Sequence, residues 1–235
     1  MISLPEELLL LAIDDATGKI HSSGPSALDY GLAGAVLMDL LLADRLALAD
    51  GKLTLADSTP IGDPVLDDAA LEVGQNAKVG DARYWVDKLG RDHLEERVLE
   101  RLLEQRILRK DEHRILWVIP IDRYPIVNPS PERETRERIR AAVLDGTAPE
   151  SRIAALIGLM KACNLTTLIF TRDEQRAFGR RIDQIAHGDA VGQAVSRAAE
   201  AAQAAMTAAI AASIATSVAT STAACSASTT SACNA

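Results

Sequence analysis

The side chains best suited to chemistry are scattered along this chain. Its four histidines, His21, His93, His113 and His187, stand far apart. None has a second His or Cys at ligand spacing, so no metal site is expected. Cys163, Cys225 and Cys233 form no CxxC pair, and an odd, sparse set of thiols fits a reducing compartment. The acidic pairs Asp14-Asp15 and Asp67-Asp68 are candidates for acid–base work. Neighbours in sequence rarely face one site, however, and both pairs fall where a helix meets a loop, so capping and turn formation account for them better. The segment GLAGA (31–35) supplies two glycines without the third and without a preceding strand. It cannot cradle a pyrophosphate as dinucleotide loops do, and close helix packing is its better explanation. There is no GxSxG elbow and no GxxxxGK[ST] loop. The expectation is a protein that is not an enzyme, with no catalytic residues and no cofactor.

Charge clusters are the stronger signal. Arg133, Arg136, Arg138 and Arg140 recur along one helical stretch, and Arg172, Arg176, Arg180 and Arg181 along another. Interleaved acids (Glu132, Glu134, Glu137; Asp173, Glu174, Asp183) make a solvated face with i,i+4 pairs the simpler reading over an anion-binding patch. A second polar run, Arg109-Lys110-Asp111-Glu112-His113-Arg114, reads as a hairpin tip with Lys110 to His113 at its end. Beyond it come Ile115, Leu116, Trp117, Val118 and Ile119. Either all of these are buried, or some, Trp117 foremost, meet a partner chain or a membrane interface.

The elements that must position these residues read as mostly helical. Ser3 as N-cap, with Pro5, Glu6 and Glu7 in the first turn, opens a helix over 4–15 that Gly18 ends. A helix follows at about 26–44, with Leu28, Leu32, Val36, Leu40 and Leu41 at helical spacing. LALADGKLTLAD then alternates around Asp50-Gly51, a hairpin signal. A Pro- and Gly-punctuated loop (57–71) runs into a short helix, and helices are predicted at 79–89 and 91–106. The second hairpin takes 107–119. Further helices are predicted at about 132–145, 150–163, 165–169, 173–187 and 189–218. VLMDLLLADRLALADGKLTL (36–55) parallels VLERLLEQRILRKDEHRILW (98–117), so the chain twice builds a helix followed by a hairpin. Met206, Ile210, Ile214 and Val218 form the inward stripe of a final small-residue helix. The fold class is therefore mainly α: a single helical domain over 1–219, with two small β-hairpins and a C-terminal small-residue helix. The Ala/Ser/Thr-rich low-complexity tail at 220–235 is expected to fray or be disordered.

Composition sets limits on partners. The 235 residues carry 33 acidic against 25 basic side chains, a net charge of −8 that disfavours nucleic acid without a local basic patch. Helix plus hairpin is also the skeleton of a winged helix, but Glu95, Glu96, Glu100 and Glu104 against Arg97 and Arg101 make a poor recognition helix, so no nucleic-acid partner is expected. Aromatic residues are only 3%, which points to an aliphatic, helical core. The opening MISLPEELLLLAIDD has acids where a signal peptide carries Lys or Arg. The uncharged stretch from Ala201 onward is Ala, Ser and Thr, which transfer poorly into hydrocarbon, so no transmembrane span is expected. The expected location is cytoplasmic.

SLPEELLLLAIDDATGKI, the GLAGAVLMDLLLADRLAL helix, DSTPIGDPVLDDAAL and VLERLLEQRILRKDEHRILWVIPI together resemble the Golgi phosphoprotein 3 family, in order across about 3–215. The PxGDxxLDxxL-like loop and the opening helix are the most specific parts. The Ala- and Arg-rich composition is similar to that of bacterial members. The resemblance implies a single, mainly helical, non-enzymatic domain acting as a peripheral membrane protein or adaptor. It also implies phosphatidylinositol 4-phosphate, or another anionic lipid headgroup, as ligand. The family's second hairpin serves self-association and membrane contact, which here implies Arg109, Lys110, Arg114, Leu116 and Trp117 as contact residues and a homo-oligomer through 107–119. The family's lipid pocket uses an aromatic residue and three arginines, at positions that are here Gly24, Ala33, Asp92 and Glu95. Arginine suits phosphate because its planar fork bonds two oxygens at once, and carboxylates in its place repel the headgroup. Arg91 and Arg97, flanking the spot, are the substitute headgroup candidates. A self-associating protein-interaction scaffold without lipid ligand, acting through the second hairpin, is the alternative.

Overall fold

A computed structural model describes residues 2–24, 26–76, 80–115, 119–187 and 197–230, with the side chains of 112–115, 119–121, 197–200 and 220–230 outside the description. The described chain is mainly helical. Helix α1 (Leu4–Ala12) is buried on every side. A helix apolar all round must lie at the centre of a fold, and α1 does: α2 (Ala27–Leu42), α5 (Leu94–Glu104), α6 (Ser130–Leu144) and α7 (Ser151–Ala162) pack around it. It ends early, at Ala12, because Ile13 turns extended and bridges Ile20. Gly18, at φ +65°, supports the intervening turn.

Helix α2 is also almost wholly buried, and α3 (Pro64–Gln75), α4 (Ala82–Leu89) and α9 (Arg197–Thr230) surround it. GLAGA lies inside α2, and its glycines are contact points. A methyl on Gly31 would overlap Cys163 Sγ, and one on Gly34 would overlap Ile210 of α9. Helix α8 (Arg172–Ala186) covers α6 and α7, and a 3₁₀ turn (Thr166–Leu168) leads into it. The close-packing reading of GLAGA therefore holds.

Both helix–hairpin units are present. After α2, strands β1 (Leu46–Ala49) and β2 (Lys52–Leu55) pair around Asp50 and Gly51, whose φ values of 51° and 74° define a type I′ turn. After α5, β3 (Asp111–Ile115) pairs with β4 (Ile119–Arg123). This corrects the predicted limits. Asp111 to His113 lie in the first strand with Lys110 just before it, not at the tip, and the hairpin reaches past residue 119 to Arg123. Alternation alone placed the turn at the polar residues; the pairing of Asp111 with Arg123 puts those residues in a strand.

Helix α9 also departs from expectation, running to Thr230 rather than ending near 220. Its sequence holds no glycine or proline, and alanine is the strongest helix former. Within it Ala201–Ala219 is the one described segment long and apolar enough to cross a membrane, with a mean hydropathy of 1.4. One face of it packs on α2, α4 and α7 through Ala202, Met206, Ala209 and Ile210, while Val218, expected on the inward stripe, is exposed.

Candidate functional site

The first turns of α1, α3 and α7 and the ends of α2 and α5 converge on a cleft of about 270 Å³. Its walls carry Glu6, Asp39, Asp63, Arg101, Gln105 and Arg152. Arg152 distributes its guanidinium three ways. Nε donates to Glu7 Oε2 at 2.9 Å, Nη1 to Asp39 Oδ1 at 2.8 Å and Nη2 to the Ile2 carbonyl at 2.7 Å. Asp39 Oδ2 accepts from the Leu4 amide at 2.7 Å, and Thr135 donates to Glu7. Arg101 lies 3.3 Å from Glu6 and 3.1 Å from Asp63, while Gln105 donates to Glu6 at 2.6 Å.

Local sequence explains these placements. Ser3 to Glu6 form the first turn of α1, where Glu6 accepts from the Ser3 amide. Asp63 caps α3 by accepting from the Val65 amide, with Pro64 at the first helical position. Glu6, Glu7, Asp39 and Asp63 are all at least 90% covered, so each needs a partner, and the two arginines supply most of them. Burial pushes the Glu7 carboxyl up from its ordinary range, against the pull of Arg152. With three carboxylates on its walls against two guanidinium groups, and Glu7 also held by Arg152, the cleft is a poor receptor for an anion. Its geometry ties the N-terminal segment to α2, α5 and α7.

The positions that the resemblance assigns to the family's lipid pocket lie between the α2 entry loop and the start of α5. Gly24 has open space where a side chain would stand, and Ala33 is fully buried inside α2. Asp92 is exposed and Glu95 half-buried. Burial raises the Glu95 carboxyl, and the negative charges of Asp29 and Glu96 raise it further. Asp29 is raised in the same way, by burial and by Glu96, with His93 opposing. Asp29, Glu95 and Glu96 thus bring negative charge together at this spot, with burial the larger cause of both shifts. Of the two substitute candidates, Arg97 is engaged elsewhere, donating to Asp68 on α3 at 2.5 Å. Arg91 is exposed and has no ion-pair partner among the described residues.

In the second hairpin Arg109 pairs with Asp111 at 3.0 Å and Lys110 with Asp122 at 2.7 Å. Arg114 stands opposite Pro120, and its side chain is outside the description. Leu116 and Trp117 lie outside the described residues. With Ile115 paired to Ile119, they and Val118 are the three residues that link the strands. The Leu108–Ile126 bridge continues the same register toward the domain.

The two arginine clusters divide by partner. Arg136 takes Glu132 and the Leu168 carbonyl, Arg138 takes Glu150, and Arg140 takes Glu174 at 2.6 Å. Arg181 turns to the carbonyls of Ala142 and Thr147. Arg140, with the cap of α8 at Thr171, holds the Glu174 carboxyl down to about 2.

Sequence reading missed the arginine–carboxylate cleft. One signal was present: Glu6 and Glu7 stand in a helix otherwise apolar on all sides, where any charge must be buried and paired. Among the described residues no three His, Cys, Asp or Glu side chains gather as a metal-holding group. Fold and site together define a mainly helical domain with a central apolar helix, two helix–hairpin units and a buried ionic latch. The Golgi phosphoprotein 3 (GPP34) family model matches residues 4–202, and the chain belongs to that family.

Proposed function

We propose that this protein is a non-enzymatic peripheral membrane adaptor that makes contact through its second hairpin, and that phosphatidylinositol 4-phosphate is not held in the family's arginine mode. The observation that carries the reading is the hairpin's register. One ladder runs without a break in register from Leu108–Ile126 to Ile115–Ile119. Strands of this length reach about 25 Å at roughly 3.4 Å per residue. Among the described residues β3 and β4 pack chiefly on each other, whereas β1 and β2 lie against α2 and α3. The acidic surroundings of Glu95 support the second half of the reading, since a phosphate headgroup there meets like charge. Residues 1–219 are taken as the working domain and 220–235 as its tail.

Liposome co-sedimentation tests this. Vesicles of phosphatidylcholine, of phosphatidylcholine with phosphatidylglycerol, and of phosphatidylcholine with phosphatidylinositol 4-phosphate are compared. The expected result is binding to both anionic sets without preference for the phosphoinositide, weakened by Trp117→Ser. Selective binding to the phosphoinositide would sink the charge argument. If no vesicle is bound while Trp117→Ser lowers the mass seen by light scattering, the hairpin serves self-association instead.

A further inference from the structure

We propose that the exposed face of α8 is an electrostatic contact surface for an anionic lipid bilayer, built from Arg172, Arg176 and Arg180. The inference rests on the peripheral-adaptor reading and adds a surface that the hairpin does not supply. The three arginines follow one another at intervals of four residues, so they share one face and span about 12 Å along the axis. All three are exposed. The opposite face is locked to the domain by buried Ile182, Ile185 and Ala186.

What distinguishes this stripe from an ordinary solvated face is the fate of the helix's acids. Glu174 is held by Arg140 of α6 at 2.6 Å, and Asp183 by Lys161 of α7 at 2.7 Å. Only Asp173 is left for the stripe. It meets Arg176 at 3.5 Å with the two side chains 94% and 80% exposed, a pair that solvent screens almost fully. Arg172 and Arg180 have no ion-pair partner among the described residues. Neighbouring helices therefore neutralise the acids of α8 and leave its arginines facing outward, in a protein whose net charge is −8. A stripe of separated, exposed guanidinium groups with no pocket matches a diffuse negative surface rather than one headgroup.

The test uses the full chain with two variants, Arg172→Gln/Arg176→Gln/Arg180→Gln and the same three positions changed to Lys. Helicity is checked by circular dichroism, and vesicles of phosphatidylcholine with and without phosphatidylglycerol are the probe. Loss of a juxtamembrane basic residue lowers partitioning by about fivefold, so the glutamine variant should lose on the order of a hundredfold on anionic vesicles. The lysine variant should bind as the parent does, because a bilayer reads charge rather than fork geometry. Equal binding of parent and glutamine variant overturns the stripe and leaves the adaptor reading standing. A parent that binds neutral and anionic vesicles alike overturns it too. A parent that binds no vesicle removes the stripe and the membrane reading together.

Discussion

Arg152 on α7 donates to Asp39 on α2 at 2.8 Å, joining residues 113 positions apart in sequence. The same guanidinium reaches Glu7 and the Ile2 carbonyl, so one side chain fastens the central helix, its N-terminal lead and two neighbours. Because Asp39 also accepts from the Leu4 amide, the carboxylate completes the first turn of α1 as a cap from another helix would.

Arg152→Ala should therefore be costly. It strands Glu7 and Asp39 without their cation, and breaking a buried pair from one side costs about 3–5 kcal/mol. Arg152→Lys should recover only part of the loss, since one ammonium cannot span three fixed acceptors. Urea unfolding of the three proteins measures both; an alanine variant within about 0.5 kcal/mol of the parent would show that the latch adds nothing.

Gly31 and Cys163 form a packing pair that a double mutant can read. Gly31→Ala alone should destabilise by about 1–3 kcal/mol, because the new methyl overlaps the buried thiol. Combined with Cys163→Ala, which removes the sulfur, the penalty should shrink. Strict additivity of the two effects in thermal unfolding would place the clash elsewhere.

Burial pushes the Cys163 thiol up to about 12. In a background with Cys225→Ser and Cys233→Ser, the remaining thiol should resist a disulfide reagent at neutral pH and react fully once the chain is unfolded in urea. Rapid labelling of the native protein would contradict its burial.

Glu95 and Asp29 give a pH dependence with a definite sign. Both carboxyls are raised in the folded chain by burial and by negative neighbours. Their stabilising contribution is complete below the ordinary carboxylate range and is lost as pH rises through the raised values. Glu95→Gln escapes that loss, so it should melt higher than the parent at neutral pH and at the same temperature near pH 3. Identical melting curves at both pH values would remove the repulsion from the account.

Restoring the family's charge at two positions tests the pocket directly. Asp92→Arg/Glu95→Arg places guanidinium groups at the two positions that the resemblance assigns to the lipid site, and co-sedimentation should then show a preference of about tenfold or more for phosphatidylinositol 4-phosphate vesicles, the range of one charge-assisted bond. No gain would mean that the missing contacts at Gly24 and Ala33 matter as much as charge.

Much of the fold was legible because its signals are local. Ser3 and Pro5 announced α1, Asp50-Gly51 announced the first hairpin, and the paired Val-Leu-x-x-Leu-Leu segments announced both helix–hairpin units. The second hairpin was misplaced because its apolar run reads equally as a strand and as a turn with its flanks, and only the Asp111–Arg123 pairing chooses between them. The site was less legible. Arg97 looked available for a headgroup until α3 brought Asp68 to it.

The sequence by itself determined the helices, their caps, the packing glycines and the membership that its ordered segments imply, since each depends on residues within a few positions of one another. Tertiary structure alone decided which charges are paired. Eight arginines of two clusters look alike in the chain, yet packing turns Arg140 to Glu174 and Arg181 to carbonyls while leaving Arg172 and Arg180 outward. The reason is geometric: a long side chain's partner is set by how helices cross, and crossing angles are fixed by the whole core rather than by neighbouring residues.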